Sequence, residues 1–316
     1  LLPLLLFVFL YPTFAQDKKP LDHQDYDHWH DLRSPMVSME GNFVSYEINP
    51  QEGDGTLWLY ETGTEEYYSF QRGYKAVFSP SEDFLAFRIK AEYDSIRAAK
   101  LDGVKKDKLP KDTLGIYLIG SDSLIKHPGL SSYKLPEEGS SWLAWLAQAN
   151  KKKKERISSD TSASVEKPKK KKTKKKEKTL HVFEPGEAGQ SAFENVEEYE
   201  FSKHGRLLSF LQTRSDSIDS VFIHTMIYPG IQSRVIFSGP GKAVKLAIDE
   251  QGMQVAWLYS ADTGKLKVYE AKLFDIKSGK LITAVDTNSN GMPAGWGPSE
   301  NGRLFFSENG RRLFFG

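Results

Sequence analysis

One phrase returns along this chain about every 40 to 60 residues: an apolar residue, Ser, two turn residues, Gly, two spacers, then an apolar run closing on an aromatic. The clearest copies are FSKHGRLLSF at 201–210 and FSENGRRLFF at 306–315. VSMEGNFVSY at 37–46 and IDEQGMQVAW at 248–257 share the spacing, and FSPSEDFLAF at 78–87 keeps it with Glu82 in the Gly slot. EEGSSWLAW at 137–145 is a looser copy, one residue longer. A recurrence of this size marks one supersecondary unit that cannot bury its apolar face alone and must stack on its neighbours. Each copy reads as a tight polar turn feeding a strand, so the fold class predicted is all-β, a partial β-propeller of four-stranded antiparallel blades.

The closing aromatics are Tyr46, Phe87, Trp145, Phe210, Trp257 and Phe315, read as core between blades. Blade one is predicted over 36–70, with 43–48 as its inner strand and 57–60 and 66–70 beyond it. Blade two starts near Tyr74, holds 84–89, and resumes at 114–119 and 123–127 after a charged, partly helical insertion at 92–110. Blade three takes 141–146 and resumes at 180–183, blade four spans 199–237, and blade five spans 243–285. A sixth begins near Arg303, giving about five blades plus the start of another in an incomplete propeller over 36–316. The chain is therefore expected to be short at both ends.

The 316 residues are 39% apolar, enough for a sizeable core, and include no cysteine, which excludes disulfides and thiolate metal sites. The formal net charge of +1 conceals a split. Residues 151–178 hold 13 Lys and one Arg against four acids. That stretch has almost no apolar residues and is predicted to be a disordered, solvated insertion. It lacks the interleaved aromatics of a nucleic-acid-binding tract, so no nucleic-acid partner is assigned. Residues 1–15 are apolar, too short for a comfortable membrane span, and end in Thr13-Phe14-Ala15. They read as a secretory signal peptide cut after Ala15, with a retained anchor as the alternative. A periplasmic or secreted location follows, with no membrane association after cleavage. Residues 16–35 form a polar segment ahead of the first blade.

Catalytic signatures are scarce. No Gly-x-Ser-x-Gly elbow, phosphate-binding loop, HExxH or EF-hand loop occurs, and GLSSY at 129–133 lacks the second Gly. DHQDYDHWHD at 22–31 gathers His23, His28 and His30 among four Asp, a pattern that suits zinc but equally a solvated segment. Trp29 reads as an anchor onto the first blade. The acid pairs Glu65-Glu66, Glu137-Glu138 and Glu197-Glu198 could hold a cationic amine, or be solvated turns. Strand neighbours point to opposite faces, which favours the second reading. No catalytic, cofactor-binding or metal-binding residue is assigned, and no cofactor.

The stretch PLDHQDYDHWHDLRSPMVSMEGNFVSYEINPQEGDGTLWL resembles the start of secreted bacterial members of the prolyl oligopeptidase family of serine peptidases. RGYKAVFSPSEDFLAFRIK, LPKDTLGIYLIGSDSLIKHP, SSWLAWL and GWGPSENGRLFFSENGRRLFFG are similar in the same order. The resemblance implies an N-terminal propeller that caps a C-terminal α/β-hydrolase domain carrying the Ser-Asp-His triad. No residue here matches the triad motifs, and the Glu pair of the dipeptidyl peptidase branch is not carried over to Glu197-Glu198. The expected role is the non-catalytic, substrate-gating part of an exported peptidase, inactive alone, with the hydrolase domain and a peptide as partners. Two readings stand beside it: a stand-alone periplasmic scaffold module, and a hydrolase with its site in the propeller channel.

Overall fold

The computed structural model describes residues 22, 25, 29–148, 177–186, 190–215, 219–230, 232–262 and 264–316. The predicted signal peptide, and the Lys-rich insertion apart from its last two residues, lie outside these. Five four-stranded antiparallel sheets follow one another along the chain, and a two-stranded sheet succeeds them. The first comprises His30–Val37 (β1), Phe43–Pro50 (β2), Thr56–Glu61 (β3) and Glu66–Gln71 (β4). The second comprises Gly73–Phe78 (β5), Phe84–Ile89 (β6), Thr113–Leu118 (β7) and Ser123–Pro128 (β8). A nine-residue helix, Tyr93–Leu101 (α1), interrupts it between β6 and β7. The third comprises Leu130–Lys134 (β9), Leu143–Gln148 (β10), Lys178–Phe183 (β11) and Ser191–Glu194 (β12). Val196–Phe201 (β13), Leu207–Ser215 (β14), Asp219–Ile227 (β15) and Arg234–Pro240 (β16) make the fourth. Lys242–Ile248 (β17), Gln254–Ser260 (β18), Glu270–Asp275 (β19) and Leu281–Val285 (β20) make the fifth. Leu304–Phe306 (β21) pairs with Leu313–Phe315 (β22).

Strand order within each full sheet is sequential, so these are the blades of an open propeller. The repeated phrase proves to be the hairpin between a blade's first and second strands. The first residue of each turn does three things at fixed offsets. Its backbone N–H donates to the carbonyl five residues on, as Ser38 to Phe43, Ser79 to Phe84, Ser202 to Leu207, Asp249 to Gln254 and Ser307 to Arg312. Its side-chain oxygen accepts the N–H of that same residue, at 2.9 Å for Phe43, 3.1 Å for Phe84, 3.0 Å for Leu207, 2.7 Å for Gln254 and 3.0 Å for Arg312. Its carbonyl accepts the N–H three residues on, where the backbone is left-handed: Gly41, Glu82, Gly205, Gly252 and Gly310. Glycine suits that slot because an L side chain there is strained.

Two expectations need correction. The strand at 43–48 is second in its blade, not innermost; β1 lies inside it and begins at His30, so the first blade reaches back past the boundary placed at Met36. β9 was not foreseen as a strand at all, and it supplies the first strand of blade three.

The motif strands β6, β10, β14 and β18 are buried on both faces, one facing each neighbouring blade. In β6, Leu85 and Phe87 pack toward blade one, while Phe84 and Ala86 pack toward blade three. In β10, Trp145 faces blade two and Leu146 faces blade four. In β14, Phe210 faces blade three and Leu211 faces blade five. Five apolar clusters result, one at each junction between successive sheets. Phe87, Trp145, Phe210 and Trp257 are the buried inter-blade residues the sequence implied. Tyr46 is only half-buried and Phe315 is 39% exposed; among the described residues no sheet packs on the outward face of the sheet that carries either.

Candidate functional site

The first strands form the inner edge. β13 touches β17, whereas fourth strands such as β8 and β20 are largely exposed. Several first strands carry an irregularity four residues before the turn residue. Ser34, Lys75 and Lys245 have positive φ there, and the register shifts around each of them. A bulge frees backbone amides from the ladder. Two carboxylates of the preceding blades take them up. Glu47, buried on β2, accepts the Lys75 N–H at 2.9 Å. Glu198 accepts the N–H groups of Lys245 and Leu246, both at 3.0 Å.

Similar contacts tie the other blades. Arg88 pairs with Asp112 at 2.9 Å and donates to the Ser131 carbonyl at 3.0 Å. The Tyr74 hydroxyl donates to Asp112 at 2.6 Å, and Tyr133 donates to the Lys75 carbonyl. Lys134 donates to the Tyr199 carbonyl at 3.1 Å, pairs with Glu200 and lies over the Tyr199 ring. The result is a polar belt crossing from blade one to blade five. Burial raises the pKa values of the Tyr133 and Tyr199 phenols. Burial also raises the Glu198 carboxyl, against the lowering effect of its two backbone donors. Burial and the Asp112 carboxylate push Tyr74 up to about 12. These groups hold charge and hydrogen bonds in place; they present an ordered polar surface with fixed donors and acceptors.

The acid pairs distribute differently from one another. Glu65 and Glu66 are exposed at the β3–β4 turn. Glu138 lies in the β9–β10 turn, 3.0 Å from His204 Nδ1. Glu198 is on β13 and partly buried, so it is a clamp between blades rather than a solvated turn. Sequence reasoning missed Glu47 and Glu198 in this role. The fixed offset of four residues from Ser34, Lys75 and Lys245 to the turn residue that follows each marks where amides are freed, but no local signal marks Glu47 or Glu198 as their acceptors.

Among the described residues, His127, His181 and His224 are engaged by aromatic rings and His204 by Glu138. His127 and His181 pack against the two sides of the Trp145 neighbourhood, with ring centroids 4.6 and 5.2 Å away. His224 stacks on Phe210 at 4.6 Å, and its Nε2 meets Gln212 at 3.1 Å. Ser131 and Ser132 of GLSSY lie on β9, an inner strand and not a strained elbow. His23 and His28 lie outside the described residues; His30 is exposed on β1. Among the described residues no group of three or more His, Cys, Asp or Glu is placed to hold a metal ion. Trp29 is 47% exposed and is no buried anchor.

No family model matches the sequence, and no curated protein matches it. Among solved structures, it is similar to the β-propeller domain of the Trilobed protease from Pyrococcus furiosus, at 9% identity and a TM-score of 0.43, covering 91% of this chain and 78% of that one. The acylaminoacyl peptidase of Pyrococcus horikoshii matches at 10% identity and a TM-score of 0.42, covering 94% of this chain. The chain spans 44% of that peptidase's length. An oligogalacturonate lyase in complex with manganese matches at 11% identity and a TM-score of 0.44, covering 89% of this chain and 72% of that one. At this level of similarity, the assignment of the fold rests on the blades themselves.

Proposed function

We propose that this chain is the substrate-gating propeller of an exported serine peptidase of the prolyl oligopeptidase family, with chemistry supplied by a hydrolase domain outside the residues in hand. The observation that carries this reading is the division between faces. Apolar side chains fill the cores between blades, while the first strands, with Glu47 and Arg88 of the second strands beside them, carry the polar belt that includes Lys134, Glu198 and Glu200. A polar inner edge suits passage of a hydrated, extended peptide. It offers fixed partners for backbone amides and carbonyls, and closely packed blades leave no space between them for a folded domain. The sequence segments that resemble the family add to this in their order.

The test is to express the natural gene, reading past Gly316, beside residues 16–316 alone. The longer product is expected to react with a fluorophosphonate probe and to cleave short proline-containing peptides in preference to folded proteins. Residues 16–316 alone are expected to do neither, since acyl transfer needs a serine activated by histidine and an oxyanion hole. Labelling of 16–316 that vanishes on mutating one of its own serines would overturn the proposal. A gene that stops after one or two more blades would replace it with a binding module.

A further inference from the structure

A cavity of about 490 Å³ opens between blades four and five, at the end of the propeller that carries the β15–β16 turn. Its apolar walls are Ile227, Ile236, Phe274 and Ile276. The two charged residues lining it are Glu184 and Arg234. Glu184 follows β11 and comes from blade three, so three blades contribute. It is only 6% exposed, and its Oε2 is shielded from water with no hydrogen-bond partner. Arg234 is exposed and does not satisfy that oxygen. A second hollow of about 280 Å³ adjoins, where Asp83 and Tyr228 line the wall. The Tyr228 phenol is raised by burial, then by the negative charges of Glu184 and Asp83, and by a hydrogen bond to Glu184, which engages that carboxylate but leaves its Oε2 without a donor, so this region is electronegative.

A buried carboxylate oxygen left without a donor costs about 1–3 kcal/mol or more, and apolar walls do not make that good. A cationic head would relieve that cost, and apolar walls would cover its stem. A metal ion fits less well, because the cavity brings a single carboxylate and hard cations collect several oxygens. The volume lies within the range of small-ligand sites, roughly 300–1,000 Å³.

We infer that this cavity is a binding site for a cationic side chain, an ammonium or guanidinium on an apolar stem, with Glu184 as its counter-ion. Arg234 is free to meet a carbonyl or carboxylate of the same ligand. The site is separate from the inner-edge belt, and the inference stands whether or not the peptidase reading does.

The test is calorimetric titration of the purified chain with Nα-acetyl-arginine amide and, as neutral counterpart, Nα-acetyl-norleucine amide. The arginine probe is expected to bind saturably, and the norleucine probe at least tenfold more weakly. Glu184→Gln should weaken the arginine probe at least tenfold. Ile236→Trp, which fills the cavity and leaves Glu184 in place, should abolish binding while far-UV circular dichroism stays unchanged. It carries the test should Glu184→Gln fail to fold. No saturable binding, equal binding of the two probes, or unchanged affinity in Ile236→Trp would each overturn the inference.

Discussion

Replacing Glu82 by glycine sets two opposed effects against each other. Glu82 occupies the glycine slot of the second blade's turn with φ at +58°, a conformation that L residues avoid. Glycine relieves that strain, worth about 1 kcal/mol. Its carboxylate, however, reaches the first blade's turn, accepting the Glu40 N–H at 2.7 Å and Asn42 Nδ2 at 2.8 Å. Hydrogen bonds to a charged group contribute about 1.5–3 kcal/mol each. Glu40 is exposed, so water recovers part of that loss. The balance is a net destabilisation of about 2 kcal/mol, and a melting temperature lower by about 3 °C or more. Burial alone would raise the Glu82 carboxyl, but the bonds from Ser38, Asn42 and Glu40 hold it below its usual 4.5. Its contribution is therefore present above that value and is lost as pH falls through the depressed folded pKa. Urea unfolding followed by circular dichroism at pH 7 and pH 3 reads both effects. Glu82→Gly should be weaker at pH 7 and converge on the parent in acid. A variant as stable as the parent at pH 7, or more so, would refute the estimate by showing that relief of strain offsets or outweighs the bridge.

Three further outcomes are expected. Ser202→Ala removes the buried acceptor of the Leu207 N–H and should cost about 1–2 kcal/mol in urea unfolding, whereas Ser307→Ala, in a more exposed turn, should cost less. His224 is depressed from 6.5 to about 4, by burial first and then by Arg214, and its buried Nδ1 has no partner to receive a new proton. The unfolded imidazole protonates first, so stability is full above pH 6.5 and falls between there and pH 4, by at most about 3 kcal/mol, and His224→Gln should flatten that slope. Deleting 151–176 should leave the melting temperature unchanged; a large fall would show that the tract is a structural element. Lys178 must stay, since it pairs with Gln148.

The blades were legible because the chemistry of the turn is local. Ser202, Gly205 and Leu207 form a closed set of bonds within six consecutive residues, and any copy of the phrase can be recognised without knowing its neighbours. β1 and β9 were not legible for the opposite reason. HDLRSPMV contains Pro35 beside its bulge, and LSSYK has no apolar alternation. Both are strands because β2 and β10 offer a hydrogen-bonding edge, a tertiary effect that outweighs local preference. Glu47, Glu198 and Glu184 were illegible in the same sense. Each acquires its role only when a neighbouring blade brings an amide, or a cavity wall, against it.

The topology also explains where the chain tolerates insertion. In a four-stranded antiparallel blade the turns joining strands one to two and three to four share one end, and the connections joining two to three share the other. The long excursions all lie at the second end: α1 and its flanks between β6 and β7, the residues between Gln148 and Lys178, and the loop between β18 and β19. At the first end the turns lock onto one another. A Cβ added at Gly139 would stand 2.5 Å from the His204 carbonyl oxygen, and one at Gly205 would stand 2.7 Å from Pro136. Extra residues there would separate blades, whereas at the second end they leave the interlock intact. α1 shows how such an insertion is accommodated: it buries no residue and is held at the surface by Tyr93 and Arg97 on Glu52, at 2.7 and 3.1 Å. Shortening the loop between β18 and β19 should therefore be tolerated, while a single residue added between Ser202 and Leu207 should unfold the junction between blades three and four. Limited proteolysis of the two variants distinguishes them, and equal resistance would refute the interlock.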